Sequence, residues 1–437
     1  MQDGEKRMNY REAREFLEGC NRYAGEELSL GPLSEMLRRL GDPQDRLSLV
    51  HIAGTNGKGS TLAFISSVLQ EAGYRVGRYI SPTIFEYRER IQVNGTYIPE
   101  EDLARLTERI RETGKEMLKE GYGHPTAFEA ETALAFLYFA EQGCDLVTLE
   151  CGRGGLTDAT NVVKHPRLTV FASISLDHLG VLGDSLGEIA ANKAGIIKSG
   201  CTVVTYRQEP EAEREIRKKA EALSCPVVQA DPERAVNRRR GIRSQRFDYK
   251  TWKDMEISLA GEYQFGNAAL ALESVEALRG MGYEISDEAV YRGMKKAYWP
   301  ARFTVLNDCP LFIIDGAHNR DAAEKLRRTV ETTLKGRRII GIMGMLSDKE
   351  YERVTETMAP CLDRVFTVTP PENPRALSAR ILAETAEKHG LPAQTCADIP
   401  EAVEKALDAA KEDDVILAFG SLSYLGELAG YIQKRRQ

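Results

Sequence analysis

The chain has 437 residues, 42% of them hydrophobic and 29% charged, with a formal net charge of −7. That length suits two or three domains with a sizeable core, and the negative balance excludes a dedicated nucleic-acid or anionic-membrane binder. No apolar run approaches the ~18–20 residues that span a bilayer, and the charged start MQDGEKRMNYREAREF carries no expectation of a secretory leader.

Eight cysteines lie at 20, 144, 151, 201, 225, 309, 361 and 396, without a C-x-x-C pair. Neither a zinc site nor a disulfide framework is expected, and the pattern suits a reducing cytoplasm. The basic runs at 238–240 and 434–436 read as solvated surface. Short apolar strand patterns alternate with amphipathic helix patterns, which predicts an α/β chain with a mainly parallel sheet.

The first strand pattern, 47–53, runs into Gly54-Thr55-Asn56-Gly57-Lys58-Gly59-Ser60-Thr61, and a helix pattern covers 58–72. A strand, a glycine turn and a helix N-terminus in that order form a phosphate cradle. Glycines let backbone N–H groups face an anion, and the helix end adds partial positive charge. Lys58 is expected at the terminal phosphates and Ser60 on Mg²⁺. The ordinary P-loop spacing is not kept, because Ile52 and Gly59 occupy the places of its first glycine and its hydroxyl. The N-terminal domain is therefore expected to be a P-loop-type ATPase with a variant loop.

Further strand patterns cover 76–80, 145–150, 168–174 and 202–205, with helices over 101–119, 127–142 and 185–198. Glu150 ends a strand where α/β folds bind ligands, so it is a candidate for Mg²⁺. His178 also follows a strand end and can ligate a metal or simply hydrogen-bond. Lys193, among apolar and small neighbours, is expected to be partly buried with a lowered pKa. A salt bridge to Asp177 or Glu188 is its plain alternative.

Residues 232–259 read as a basic, β-rich insertion or edge. Helix patterns return at 261–279 and 287–297, and Tyr298-Trp299-Pro300-Ala301-Arg302 then breaks the periodicity. The boundary is placed there, giving domains 1–298 and 299–437. Strands over 311–315, 338–344, 363–369 and 414–420 alternate with helices over 319–333, 350–358, 377–388, 399–410 and 424–434. This predicts a smaller Rossmann-like α/β domain. Asp315 at a strand end can accept from a ribose or an incoming amine, His318 opens a helix, and Arg302 can turn toward phosphates.

Taken together these segments resemble the folylpolyglutamate synthase/dihydrofolate synthase family of the Mur-ligase-like superfamily. The family's GTNGKGS loop stands at 54–60, and its ERI-x-VNG string at 89–95 follows Ser81-Pro82-Thr83. Phe128–Thr132 matches FE-x-x-T, and Leu149–Asn161 matches LE-x-G-x-GG-x-x-DATN. Asp177–Gly183, Lys193–Lys198, Gln264/Asn267/Ala268, Trp299–Phe303 and Asp315–Asn319 complete the match.

The resemblance implies ATP bound by Gly54, Thr55, Asn56, Gly57, Lys58, Gly59, Ser60, Thr61, Asn267, Arg302 and Asp315. It implies two Mg²⁺ sites served by Ser60, Glu150, His178 and a carbamylated Lys193, with Lys58, Lys193, Asp315 and His318 as the catalytic set. Ser81, Pro82, Thr83 and Arg90 would contact the folate. Thr83, Leu156, Asn192, Arg320, Ala301 and Tyr263 depart from the family's usual residues. The implied activity is ATP-dependent addition of L-glutamate to the γ-carboxyl of tetrahydrofolate, with dihydropteroate as a second acceptor, through an acyl phosphate. The expected partners are these small molecules, without nucleic acid or membrane, and the expected state is a cytoplasmic monomer. A muramyl-peptide ligase is disfavoured by Gly59 and ERI-x-VNG, and a non-ligating nucleotide switch by the second domain with Arg302 and Asp315.

Overall fold

The structure, a computed structural model, describes residues 7–20, 29–177 and 181–435. The chain divides into two compact units. One takes Met1–Thr83, Tyr87–Asp231 and Leu270–Gly293; the other takes Ile84–Glu86, Pro232–Ala269 and Met294–Gln437.

The first unit begins with helices α1 (Tyr10–Gly19) and α2 (Gly31–Arg39). Then come β1 (Leu49–Ala53), α3 (Lys58–Glu71), β2 (Val76–Tyr79), β3 (Ile91–Val93) and β4 (Thr96–Tyr97). Helices α4 (Glu100–Lys119) and α5 (Ala127–Glu141) lead to β5 (Leu146–Glu150) and β6 (Leu168–Phe171). The unit continues with α6 (Leu186–Ala194), β7 (Thr202–Tyr206), α7 (Pro210–Ala222) and β8 (Val227–Ala230).

These strands form one sheet in the order β4-β3-β2-β5-β1-β6-β7-β8. The run from β2 to β8 is parallel, and β3 and β4 add an antiparallel edge. From β1 the chain crosses to β2 and β5 on one side, and β6 lies on the other. The order therefore reverses at β1, and such a reversal opens a ligand crevice at the carboxyl ends of the strands. Ile52 registers with Glu150, and Ala53 with Phe171. The loops after β1, β5 and β6 thus leave the sheet at the same edge.

β1 and β5 are buried along their whole length, as strands covered on both faces must be. Helices α3 and α5 are apolar nearly all round and almost wholly buried, so each packs as core. Tyr79, Phe136, Phe139 and Leu149 anchor that core, and burying each such side chain contributes roughly 1.5–3 kcal/mol.

Residues 235–257 form the antiparallel strands β9 (Ala235–Arg239), β10 (Gln245–Tyr249) and β11 (Trp252–Ile257), matching the β-rich expectation for this stretch. Helices α8 (Gln264–Gly280) and α9 (Asp287–Lys296) follow. The second unit then continues with β12 (Thr304–Asp308), β13 (Leu311–Ile314), α10 (Arg320–Thr333), β14 (Ile339–Met343) and α11 (Tyr351–Met358). It closes with β15 (Arg364–Thr367), α12 (Ala379–Lys388), β16 (Ala393–Thr395), α13 (Ile399–Ala409), β17 (Val415–Phe419) and α14 (Leu422–Arg435). Its sheet runs β12-β13-β17-β14-β15-β16, parallel except for the β12–β13 pair.

Two of the differences from the sequence reading show their physical causes plainly. The helix expected over 185–198 stops at Ala194, and tighter turns follow, with Gly195, Ile196 and Ile197 donating three residues back. Gly195 must pack on Leu156 there, since a Cβ would lie 2.7 Å from the Leu156 Cα. The predicted elements also omit α7, whose buried residues are only Ala212, Ile216 and Ala220 in a charge-rich stretch. A stripe that narrow barely registers as apolar periodicity.

Candidate active site

Gly57 caps α3 at φ +90 and no side chain caps that helix, so its N-terminus turns partial positive charge toward the loop. Gly54 stands at φ +152, where a Cβ would meet the Ala172 Cβ at 2.9 Å. The loop is pinned to the segment after β6. Thr55 and Asn56 N–H donate to the Ser173 carbonyl at 2.6 and 3.1 Å, and the Thr55 hydroxyl donates to the Ser175 carbonyl at 3.0 Å. Gly59, Ser60 and Thr61 form the buried first turn of α3.

Lys58 Nζ lies 3.8 Å from Glu150 Oε1 and donates to the Thr55 carbonyl at 3.4 Å. The Ser81 N–H reaches Glu150 Oε2 at 3.5 Å. Lys193 is 4% exposed and donates to the Gly54 carbonyl at 3.1 Å. Burial, then the Lys58 charge, brings its ammonium down to about 8. Glu188, one of the partners considered for it, instead caps its own helix with Ser185. The loop, Glu150 and Lys193 are therefore one cluster. His178 lies outside the described residues.

Among the described residues no group of three or more His, Cys, Asp or Glu gathers as a metal cage. Mg²⁺ does not need one, because it keeps several waters and takes one or two carboxylates plus phosphate oxygens. Glu150 at a strand end, with the Ser60 hydroxyl at the head of α3, fits that donor set.

Beside the cluster lies a cavity of about 470 Å³. Ser81, Pro82, Arg90, Phe128, Asp158 and Leu182 are among its lining residues; among the described residues that line it, Thr83 is missing. Thr126 and Glu129, also on its wall, close a capping box at the start of α5. The Thr126 N–H donates to Glu129 Oε2 at 2.7 Å, and the Glu129 N–H to Thr126 Oγ1 at 3.3 Å. Arg90 pairs with the Glu131 carboxylate, which also accepts from the Tyr87 hydroxyl at 2.6 Å. Asp158 is buried, and burial pushes its carboxyl up against the hydrogen bonds that favour its charge. Asn192 ties the neighbouring turn to α6, its carbonyl accepting from the Leu156 N–H at 2.9 Å.

In the second unit, Asp315 directly follows β13 as a buried carboxyl group. It accepts from the Tyr263 hydroxyl, the Phe303 N–H and the Ala317 N–H, each at 2.9 Å. Burial pushes its carboxyl up, opposed chiefly by Arg302. Arg302 crosses the Gly316 backbone, where a Cβ would lie 2.2 Å from its Nη1. His318 Nδ1 donates to the Gly316 carbonyl at 2.8 Å, and Asn319 rather than His318 caps α10. Asn267 donates to Gln264 Oε1 at 2.9 Å in the first turn of α8. Tyr263 precedes that turn and so links it to Asp315. Arg320 is exposed and pairs with Glu324 at 3.0 Å.

Sequence reasoning assigned no role to Tyr263, Phe128 or Asp158. The signal for the last two lay in the strings 128–132 and 149–161, which do not reveal what their side chains face.

A phosphate loop at a sheet's switch point, with a second α/β unit presenting a buried carboxylate, defines the Mur ligase class. Residues 52–275 match the Mur ligase middle domain, and residues 301–422 match the Mur ligase glutamate ligase domain. A dihydrofolate synthase/folylpolyglutamate synthase of Bacillus subtilis is 36% identical over 96% of this chain and 98% of its own length. A folylpolyglutamate synthase of Lacticaseibacillus casei is 33% identical over 78% of this chain and 81% of its own. Among solved structures, Mycobacterium tuberculosis folylpolyglutamate synthase complexed with ADP superposes with a TM-score of 0.88 at 27% identity, covering 96% of this chain and 98% of that one. E. coli FolC in complex with DHPP and ADP gives 0.84 at 29% identity, covering 97% and 98%. The chain belongs to the folylpolyglutamate synthase/dihydrofolate synthase family. No helix among the described residues is long and apolar enough to cross a membrane.

Proposed function

We propose that this chain adds L-glutamate to the γ-carboxyl of a reduced folate at the expense of ATP, and accepts dihydropteroate as a second acid substrate. The observation that carries the reading is the Ser81–Glu150 contact at 3.5 Å. It joins the wall of the cavity to the carboxylate beside Lys58, so a carboxylic acid held in the cavity has the phosphate loop next to it. The cavity volume suits a flat heterocycle. Phe128 offers a face for stacking, Leu182 an apolar wall, and Asp158 an acceptor for ring N–H groups. E. coli FolC, a structural relative, was solved in complex with DHPP and ADP, a pair of ligands of the kinds this reading requires.

The chemistry follows from the poor leaving ability of oxide. The acid's carboxylate attacks the γ-phosphorus of ATP, releasing ADP and forming an acyl phosphate. The glutamate amine then attacks the acyl carbon, phosphate leaves, and the amine loses a proton. Gly54–Thr61 cradle the phosphates and Lys58 neutralises their charge. Ser60 and Glu150 would hold Mg²⁺, which would supply positive charge against the phosphates. Lys193 is assigned to a second metal site as a carbamate, formed when its neutral amine adds CO₂ and loses a proton. Its burial and lowered pKa support that assignment. In the second unit, Asp315, Arg302, His318 and Asn267 are assigned to the nucleotide and to the amino-acid substrate.

The test is direct. Purified protein with ATP, Mg²⁺, L-glutamate and either tetrahydrofolate or dihydropteroate should release ADP and form one amide per ADP. Absence of both products with either acid, or turnover only with a nucleotide-linked muramyl peptide, would refute the reading.

A further inference from the structure

A buried chain of hydrogen bonds runs from the centre of the sheet to the cavity wall. His51 on β1 is fully buried, and its Nε2 lies 2.8 Å from Thr160 Oγ1. Thr160 Oγ1 lies 2.5 Å from Asp158 Oδ1, which also accepts the Thr160 N–H at 3.0 Å. Asp158 Oδ2 accepts the Arg153 N–H at 2.7 Å, beside Gly152 on the cavity wall. Cys151 Sγ packs against the chain, 3.1 Å from His51 Nε2 and 3.6 Å from Thr160 Oγ1.

Counting protons sets the direction of this chain. Thr160 has one hydroxyl proton, and donating it to Asp158 leaves its oxygen to accept from the His51 Nε2–H. The reverse order would place the imidazole proton on His51 Nδ1, a buried atom without a hydrogen-bond partner among the described residues. A buried donor left unpaired is costlier than a buried acceptor, so the reverse order is disfavoured. Two backbone N–H groups already point at Asp158, and with the Thr160 hydroxyl they make three donors on one carboxylate. The resulting array favours the charged form against the burial that pushes its carboxyl up, and it fixes the plane of the group.

We propose that His51, acting through Thr160, is a positioning residue for the acid substrate. It locks Asp158 as an oriented acceptor for a heterocycle that presents an N–H or amino edge to the cavity. The proposal rests on the reading of that cavity as the substrate's ring site. His51 is enclosed in the sheet and acts only through Thr160 and Asp158. Without the chain, Asp158 keeps its two backbone donors but loses the oriented hydroxyl that completes the array. Its burial then favours a protonated, donating group where the substrate needs an acceptor.

Steady-state kinetics on the full chain test this with two disrupting variants and two that conserve the bond. Thr160→Val and His51→Leu should each raise KM for dihydropteroate or tetrahydrofolate about tenfold, with KM for ATP unchanged and kcat within about threefold. Thr160→Ser and His51→Gln each keep a donor and should restore most of that affinity. Asp158→Asn separates the two levels of the argument. If Asp158→Asn leaves KM for the acid unchanged, the cavity reading fails. If Asp158→Asn raises it but Thr160→Val and His51→Leu do not, the positioning role alone fails. Equal losses toward ATP and the acid would overturn the proposal, as would failure of both disrupting variants to fold by circular dichroism. Either result would make the chain an element of core stability only. If one disrupting variant folds and the other does not, the folded one decides.

Discussion

The buried Lys193 ammonium donates to the Gly54 carbonyl at 3.1 Å, so the end of α6 is tied to the turn that opens the phosphate loop. That carbonyl belongs to the residue directly after β1. A cation is thereby held in the sheet's crevice, with no carboxylate in hydrogen-bond range among the described residues.

This arrangement carries a pH signature. The ordinary lysine value of 10.5 falls to about 8 in the fold. Between those values the unfolded chain binds more protons than the folded one, so stability rises with pH across that window. Below about pH 8 the penalty on the fold is present in full. Lys193→Met lacks it, so the stability of the variant relative to the parent should be greatest at pH 7 and decline toward pH 10. Thermal unfolding of both proteins should show the difference in Tm shrinking by about 2–4 °C. A difference independent of pH would contradict a depressed folded value.

Activity of Lys193→Ala gives a separate measure of the carbamate assignment. Turnover should fall sharply, added bicarbonate should restore little, and a short carboxylic acid should restore part by supplying the missing anion. Full activity in Lys193→Ala would end that assignment.

Among the described residues Lys58 meets the Thr55 carbonyl and Glu150, at 3.4 and 3.8 Å. Lys58→Ala should therefore fold normally but lose roughly 100–1,000-fold in kcat, the scale set by removing one preorganised charge-stabilising group. ADP release under saturating substrates measures it, and retained turnover would remove the lysine from the phosphate site.

Glu150→Gln keeps shape and removes charge. The Mg²⁺ concentration giving half-maximal rate should rise about tenfold or more, the scale of losing a partner of a metal site. A Mg²⁺ titration of the rate at fixed ATP reads this out, and an unchanged midpoint would place the metal elsewhere.

Tyr263→Phe deletes one of three donors to the buried Asp315 carboxylate. The expected loss is about 1–3 kcal/mol of stability by urea denaturation. The Asp315 carboxyl, already pushed up by burial, should rise further. With Asp315 assigned to the nucleotide or the amine as an ionised acceptor, the acid limb of the kcat profile should move to higher pH.

Much of the chemistry could be read along the chain. Gly54–Thr61 is a contiguous device, and a strand–turn–helix order is visible wherever apolar residues meet glycines and a hydroxyl. Glu150 and Asp315 could be picked out because carboxylates at the ends of apolar runs are rare and placed where α/β folds bind ligands. Elements with faint patterns were harder: α7 hides three apolar residues among charges, and the turns after Ala194 keep a helical rhythm without a helix.

The sequence by itself determined the alternation of strands and helices, the phosphate loop and the family, because each is written in neighbouring residues. Tertiary structure alone decided that His51, Cys151, Thr160 and Asp158 share one buried chain, that Lys193 answers the Gly54 carbonyl, and that Tyr263 holds Asp315. The physical reason is the parallel sheet of the first unit and, in the second, the turn before α8 that brings the Tyr263 hydroxyl to Asp315. Adjacent parallel strands bring together residues about 100 positions apart, and no local pattern records which side chains meet across such a gap.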